Sequence, residues 1–297
     1  MDATRASRTA EFMALFRALE TDRPAGVRLF ADPLAIGFLR PPLRWVVRCA
    51  RIPGLGAAVP WVIDRRWPGA RTSGVARTRL IDDMLDDALT AGARRVVLLG
   101  AGFDCRAYRL PRLRDVDVFE VDHPTTQAAK RDRVRRLVGA IPGRVHLVAL
   151  DFDHDDVAHA LGAAGYERGP RTFFVWEGVT NYLTPHAVDT TLRAVRSAAG
   201  PGDRLAFTYV HRGFLEGSLS FPGAVHLLAT LRRVGEPWTF GLDPIEVADF
   251  LAERGFDLIE DWGAADYRAR YMGPEAGTMR GYEFYRAALA EVGASPR

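Results

Sequence analysis

The chain has 297 residues, of which 48% are hydrophobic and 26% charged, values that are ordinary for a globular protein in water. Its formal net charge is only +3, and it has no basic tract with interleaved aromatic residues, so nucleic acid is not an expected partner. The two cysteines form no paired motif, and no run of about 18 apolar residues could span a membrane. We therefore expect a cytoplasmic protein whose partner is neither a membrane nor a nucleic acid.

In chain order, apolar residues at helical spacing predict an amphipathic helix over residues 11–19, a helix over 43–47 that packs in the core, and a helix over 81–89. Strands that alternate with helices follow, which predicts an α/β fold with a parallel sheet and helices on both faces. The first predicted strand begins at Val96, and the others span residues 116–121, 145–150, 172–176, 204–209, 256–259 and 282–287.

This order of elements predicts a single domain over residues 1–297. Residues 1–90 form a helical cap, 91–210 a cofactor-binding core and 246–297 the C-terminal part of the sheet. Between them, residues 211–241 read as a long irregular stretch, which is typical of a lid or binding element. Because this stretch is rich in Phe and Leu, we expect a lid over residues 211–245 that folds back over the cleft.

A glycine turn follows the first strand, and an acid ends the second. Gly100 and Gly102 leave the backbone open to a ligand, and Asp122 comes about 20 residues later, where a carboxylate can accept ribose hydroxyls. Asp104 lies where a pyrophosphate would bind and would repel it, whereas it favours the sulfonium or ammonium of S-adenosylmethionine. The sequence thus favours that cofactor over a nicotinamide, and a nicotinamide-dependent oxidoreductase is the alternative.

Several motifs resemble the bacterial branch of the leucine carboxyl methyltransferase family. They are the stretches VLLGAGFDCRAYRL (97–110), FEVDHP (119–124) and WEGVTNYLTP (176–185), together with SRTA (7–10), LFADP (29–33) and ARTR (76–79). The resemblance covers about residues 5–210. It implies a class I, Rossmann-like methyltransferase that uses S-adenosylmethionine.

The resemblance also implies roles for single residues. Asp122 would bind the ribose, and Asp151 the adenine amino group with Phe152 beside the ring, although Asp151 could instead cap a helix. Glu177 would hold the ammonium of the cofactor. Two arginines are candidates for its carboxylate, and of these Arg77 is preferred to Arg71.

The acceptor decides whether a base is needed. A carboxylic acid is already ionised at neutral pH, whereas a phenol would benefit from a histidine, for which His211 after the fifth strand is the catalytic candidate. The expected acceptor-binding residues are Tyr182, Tyr209, Phe214 and Trp238. No cluster has the spacing of a metal site. The resemblance implies an O-methyltransferase of secondary metabolism that acts on a small hydrophobic carboxylate, and the alternatives are a hydroxyl acceptor or a cofactor-binding protein without activity.

Overall fold

A computed structural model describes residues 8–293, except residues 55, 57, 222–223, 234 and 276–278. Seven strands of this part of the chain form one sheet in the spatial order β3-β2-β1-β4-β5-β7-β6. Strands β1 to β5 run parallel, and β7 is antiparallel to both β5 and β6. Their bounds are β1 (Arg95–Leu99), β2 (Asp117–Asp122), β3 (Val145–Ala149), β4 (Thr172–Trp176), β5 (Arg204–Val210), β6 (Phe256–Trp262) and β7 (Tyr285–Val292).

The helices in the described residues are α1 (Arg8–Thr21), α2 (Pro41–Ala50), α3 (Ala58–Arg66), α4 (Ala70–Thr90), α5 (Arg106–Arg109), α6 (Pro124–Val138), α7 (Val157–Ala163), α8 (Pro185–Ala198), α9 (Arg212–Glu216), α10 (Ala224–Arg233), α11 (Val247–Ala252) and α12 (Ala264–Tyr271). Successive residues of β1 face opposite sides, as a strand requires. Val97 and Leu99 pack with α7, α8 and α11, whereas Val96 and Leu98 pack with α4 and α12. The predicted α/β fold is confirmed.

The first six strands begin within one residue of their predicted starts. The seventh does not, since it starts at Tyr285 rather than at residue 282 and ends at Val292. Two of the three preceding residues are used elsewhere: the N–H of Tyr282 donates to Ser73 Oγ at 2.7 Å, and the Phe284 ring stacks in a neighbouring aromatic cluster. The ladder with β5 therefore begins only at Tyr285.

Two other expectations need correction. The segment 211–241, predicted to be irregular, contains α9 and α10. Leu227, Leu228 and Leu231 recur on one face of α10, a pattern that buries well only as a helix. The predicted core helix at 43–47 lies within α2, but only one side of α2 is in the core, because Val47 is buried while Trp45 is 66% exposed.

Candidate functional site

The carboxyl ends of β1, β2 and β4 meet at one edge of the sheet, where the strand order reverses between β1 and β4. Ligands of open α/β sheets bind at this position. A cavity of about 540 Å³ lies here, within the ~300–1,000 Å³ typical of small-molecule sites. It is lined by the loop after β1, by residues that follow β2, β3 and β4, and by residues of α1, α4 and α10.

The loop after β1 needs its two glycines. Gly100 has a φ of +68° and Gly102 a φ of +45°, which lie in the left-handed region that glycine adopts without strain. A Cβ atom at Gly100 would also lie 2.2 Å from Val179 Cγ2. The missing side chain thus allows the segment after β4 to pack directly on the loop, and both segments line the same cavity.

Asp122 ends β2 and holds the glycine loop. Its Oδ2 accepts the N–H of Gly102, and its Oδ1 accepts the N–H of His123 at 2.7 Å. Burial raises the pKa of Asp122 and outweighs the opposite effect of these two N–H groups. A carboxylate has about four lone-pair positions, so about two remain available to ligand hydroxyls.

Glu177 follows β4 and lies between two arginines. Its Oε1 is 2.9 Å from Arg77 Nε, and its Oε2 is 2.8 Å from Arg106 Nη1. The Arg106 guanidinium also pairs with Asp104, and its Nε is 2.7 Å from Asp82 Oδ1. Burial would raise the pKa of Glu177, but the charges of Arg106 and Arg77 lower it below its usual value. We call these five residues the ionic network.

The ionic network fits the amino-acid end of S-adenosylmethionine. That end carries an ammonium and a carboxylate, and the network presents carboxylates and guanidinium groups side by side. The pKa of Asp104 is lowered as well, because the charges of Arg106, Lys130 and Arg17 together outweigh burial. The guanidinium group of Arg77 also packs on the ring of Tyr285, with its carbon 4.5 Å from the ring centroid.

Asp151 and Phe152 follow β3 and line the same cavity. Asp151 is partly exposed, with 37% of its side chain accessible. Its Oδ1 accepts the N–H of Asp153 at 3.1 Å, and its Oδ2 is 3.0 Å from His154 Nδ1. Asp151 does not cap α7, because that cap is Asp156. Its carboxylate therefore stands at the cavity wall, free of a helix-capping role.

The rest of the cavity is apolar. We call it the apolar chamber, and its wall includes two polar aromatic residues, Tyr182 and Trp238, whose rings meet edge to face at a centroid distance of 6.2 Å. Its other side chains come from α1, α10 and the segments beside α4 and β4, namely Phe12, Phe16, Trp67, Leu183, Leu227 and Leu231. Because the chamber and the ionic network line one cavity, two ligands can meet there.

Two predicted site residues are held away from this cavity. Arg71 lies on α4 but pairs with Asp64 at 2.6 Å between Nη2 and Oδ2. The Tyr209 side chain is buried, and its hydroxyl donates to Asp261 at 2.8 Å. Neither side chain lines the cavity. Of the two arginine candidates, the structure brings only Arg77 to the site.

His211 and Phe214 are also outside the cavity lining. His211 begins α9, and its Nδ1 accepts the N–H of Gly213 at 3.1 Å, so this lone pair serves as a helix cap. Phe214 stacks on Phe284 with ring centroids 3.9 Å apart, inside a buried aromatic cluster. The position after β5 suggested a base; the structure places the His211 ring at the N-terminus of α9 and outside the cavity lining.

Two residues of the site were not foreseen. Arg106 is 2% exposed and joins Asp104 to Glu177, yet sequence reasoning gave it no role. Its place inside the first motif, two residues after Asp104, was the available signal. Tyr285 had no such signal, because it reaches Arg77 only through the position of β7 beside β5.

Metal and membrane features were searched over the described ranges. There, no three His, Cys, Asp or Glu side chains come together as a metal site. In the same part of the chain, no helix combines the length and the apolar character that crossing a bilayer requires.

A family model described as leucine carboxyl methyltransferase matches residues 10–196. A protein of Mycobacterium sp. (strain KMS), named as an inferred S-adenosyl-L-methionine-dependent methyltransferase, is 35% identical over 274 residues, which cover 84% of this chain and 83% of that protein. A Streptomyces coelicolor protein with the same kind of name is 38% identical over 204 residues, which cover 67% and 64%.

Two solved structures are similar over nearly the whole chain. A DUF574 family protein of Streptomyces avermitilis superposes with a TM-score of 0.60 at 14% identity and covers 97% of this chain and 98% of its own. A Thermobifida fusca protein, described as an inferred methyltransferase, has a TM-score of 0.58 at 16% identity and covers 99% and 97%. At these identities the likeness concerns the fold.

Proposed function

Because the chain belongs to the leucine carboxyl methyltransferase family and is an S-adenosylmethionine-dependent methyltransferase, we propose that it methylates a carboxylate oxygen of a small apolar acceptor. The observation that carries the proposal is one cavity with an ionic network at one side and the apolar chamber at the other. An apolar pocket with few polar groups suits a small molecule. As the resemblance implies, we assign the reaction to the cytoplasm and to secondary metabolism.

In this proposal the residues of the ionic network bind the amino-acid end of S-adenosylmethionine. Glu177 accepts from the ammonium and Arg77 donates to the carboxylate, with Asp104 beside them. Asp122 accepts from the ribose hydroxyls, and Asp151 from the adenine amino group. Gly100 and Gly102 give the cofactor access to the loop backbone, and Phe152 lies beside the adenine ring.

The bound cofactor supplies an electrophilic methyl group on a sulfonium. An acceptor oxygen forms the new C–O bond while the C–S bond breaks, and the electron pair of that bond stays on sulfur. The protein contributes by orienting the acceptor and by excluding water, since a displacement of this kind depends mainly on geometry and desolvation. A carboxylate acceptor releases no proton in this step.

The side chains around the cavity favour such an acceptor. Among the described lining residues the histidines are His123 and His154, which follow β2 and β3, away from β4 and the apolar chamber. Glu177 and Asp104 are paired with arginines, which lowers their pKa values and makes them poor bases. A phenol with a pKa near 10 would lack a general base, whereas a carboxylic acid with a pKa near 4 needs none.

The test is a methyl-transfer assay with matched acceptors. The protein is incubated with S-adenosylmethionine and phenylalkanoic acids, the corresponding alcohols, phenols and amines, and products are identified by mass spectrometry. We expect methyl esters of the acids, and none from protein whose glycine loop carries Gly100→Ala. Exclusive methylation of phenols or alcohols would support the hydroxyl alternative, and methylated amines would contradict O-methylation.

A further inference from the structure

The apolar chamber contains two buried donors that make no hydrogen bond of standard geometry to another described residue. They are the hydroxyl of Tyr182 and the indole Nε1 of Trp238. The Thr9 hydroxyl, which donates to Glu236, and the Trp238 indole N–H both approach the Tyr182 hydroxyl, but neither forms a hydrogen bond of standard geometry with it. Buried polar groups of folded proteins are nearly always hydrogen-bonded, so two unpartnered donors in one cavity indicate a ligand atom that accepts from them.

The arginine side chains that line the cavity already form ion pairs with carboxylates of the protein. Among the described lining residues, each arginine has a carboxylate partner; the pairs are Arg17–Asp32, Arg77–Glu177, Arg106–Asp104 and Arg109–Asp82. An acceptor carboxylate in the apolar chamber would therefore meet uncharged donors. Burial raises the pKa of Tyr182, so its hydroxyl keeps its proton at neutral pH and can donate.

The position of Tyr182 connects these donors to the cofactor side. Tyr182 ends a single 3₁₀ turn that begins at Thr180, shortly after Glu177. Its N–H donates to the carbonyl oxygen of Val179 at 2.9 Å, and Val179 packs on Gly100 of the glycine loop. Tyr182 thus belongs to the segment that packs on the loop expected to carry the methyl donor, and its side chain lines the same cavity as that loop.

We infer that Tyr182 and Trp238 form a neutral clamp that binds one carboxylate oxygen of the acceptor and leaves its other oxygen free to accept the methyl group. This inference rests on the proposed function and adds the group that the chamber recognises. The negative charge strengthens both hydrogen bonds, because charge-assisted bonds are about twice as strong as neutral ones. The ester product is neutral, so the clamp holds it less tightly and favours its release.

The experiment uses the full chain saturated with S-adenosylhomocysteine and two probes of the same skeleton, phenylbutyrate and phenylbutanol. Binding is measured by calorimetry for the wild type, Tyr182→Phe and Trp238→Phe. Tyr271→Phe and Trp61→Phe are matched controls, because neither residue lines the cavity. Wild-type protein labelled at nitrogen gives indole N–H signals for its 6 tryptophans, and the signal missing in Trp238→Phe identifies Trp238.

We expect phenylbutyrate to bind the wild type at least tenfold more tightly than phenylbutanol. Each clamp variant should lose about 10- to 150-fold for phenylbutyrate, the range for one hydrogen bond to a charged group, while the controls change little. The Trp238 N–H signal should move downfield with phenylbutyrate alone. If Tyr182 and Trp238 only packed against the ligand, each substitution would weaken the binding of both probes equally, and phenylbutyrate would produce no effect that phenylbutanol lacks.

Equal binding of the two probes, no binding of phenylbutyrate, or an unshifted Trp238 signal would overturn the neutral clamp. The wild-type selectivity and the wild-type signal decide the question even where a variant fails to fold. Binding of S-adenosylhomocysteine is measured separately. Its absence in the wild type would contradict the proposed function, whereas its presence without carboxylate preference would contradict only the clamp.

Discussion

Replacement of Asp122 by alanine tests the cofactor site most directly. The carboxylate lies at the end of β2, is half-buried, and accepts N–H groups from Gly102 and His123. In Asp122→Ala, the ribose hydroxyls lose a charged acceptor, and the Gly102 N–H loses the group that holds the loop. Both losses act on the cofactor, the first directly and the second through the shape of the loop.

The size of the loss in Asp122→Ala follows from the hydrogen bonds that the Asp122 carboxylate can still make to a ligand. A hydrogen bond to a charged group contributes about 1.5–3 kcal/mol, and the Asp122 carboxylate already shares its charge with two backbone donors. We therefore expect a total loss of about 1.5–3 kcal/mol in binding free energy rather than twice that amount. This corresponds to a Kd for S-adenosylhomocysteine that rises about 10- to 150-fold.

Isothermal calorimetry measures the Kd, and thermal unfolding shows that the variant is folded. Asp117→Ala is the matched control, because Asp117 is the first residue of the same strand, is exposed, and lies at the end away from the cavity. Its Kd should equal that of the wild type. An unchanged Kd in folded Asp122→Ala would refute the assignment of Asp122 to the ribose.

Three further outcomes are expected. Gly100→Ala should lower the free energy of unfolding, measured by denaturant titration, by ~1–3 kcal/mol or more, because its φ is +68° and the new Cβ would lie 2.2 Å from Val179. The control Gly143→Ala, at an exposed glycine, should be nearly neutral in the same titration. Glu177 has a pKa below the usual 4.5, so the stability that its ion pairs contribute is complete above pH 4.5 and is lost as the pH falls through the lowered pKa. In Glu177→Gln the free energy of unfolding should therefore fall less steeply with decreasing pH over that range. The same pH dependence in the variant and the wild type would contradict the pairing. His211→Ala should leave turnover of a carboxylate within a few-fold in steady-state assays, and a loss of ~10²–10⁴ would restore His211 as a base.

The strands of the core could be predicted because their residues are apolar without interruption. A fully buried parallel strand such as β1 reads as a continuous run, and glycines or acids mark its end. Gly100, Asp122 and Glu177 were therefore placed correctly at strand ends, and the topology alone brings these ends together. β7 was misplaced because Phe284, an apolar residue beside the strand, packs in another cluster.

The arginine candidates show what a linear pattern leaves open. Arg71 and Arg77 are both on α4, six residues apart, and a helix turns about 100° per residue, so the two side chains point about 120° apart. Only one of them can face the cavity. The residues on the same face as Arg77, namely Ser73 and Gly74, line the cavity as well, whereas Arg71 meets Asp64. Choosing between them required the rotation of α4 against the sheet.

The two sides of the cavity differ in how completely their polar groups are paired. In the ionic network, Arg77 and Glu177 bind each other, so a zwitterionic ligand exchanges one set of ion pairs for another. In the apolar chamber, the Tyr182 hydroxyl and the Trp238 indole N–H make no hydrogen bond of standard geometry among the described residues. An acceptor analogue that fills the chamber without offering an oxygen leaves both donors buried and unpaired, and sites of this kind reject such analogues strongly. Selectivity for the acceptor should therefore arise mainly from these two donors, while the apolar wall contributes affinity.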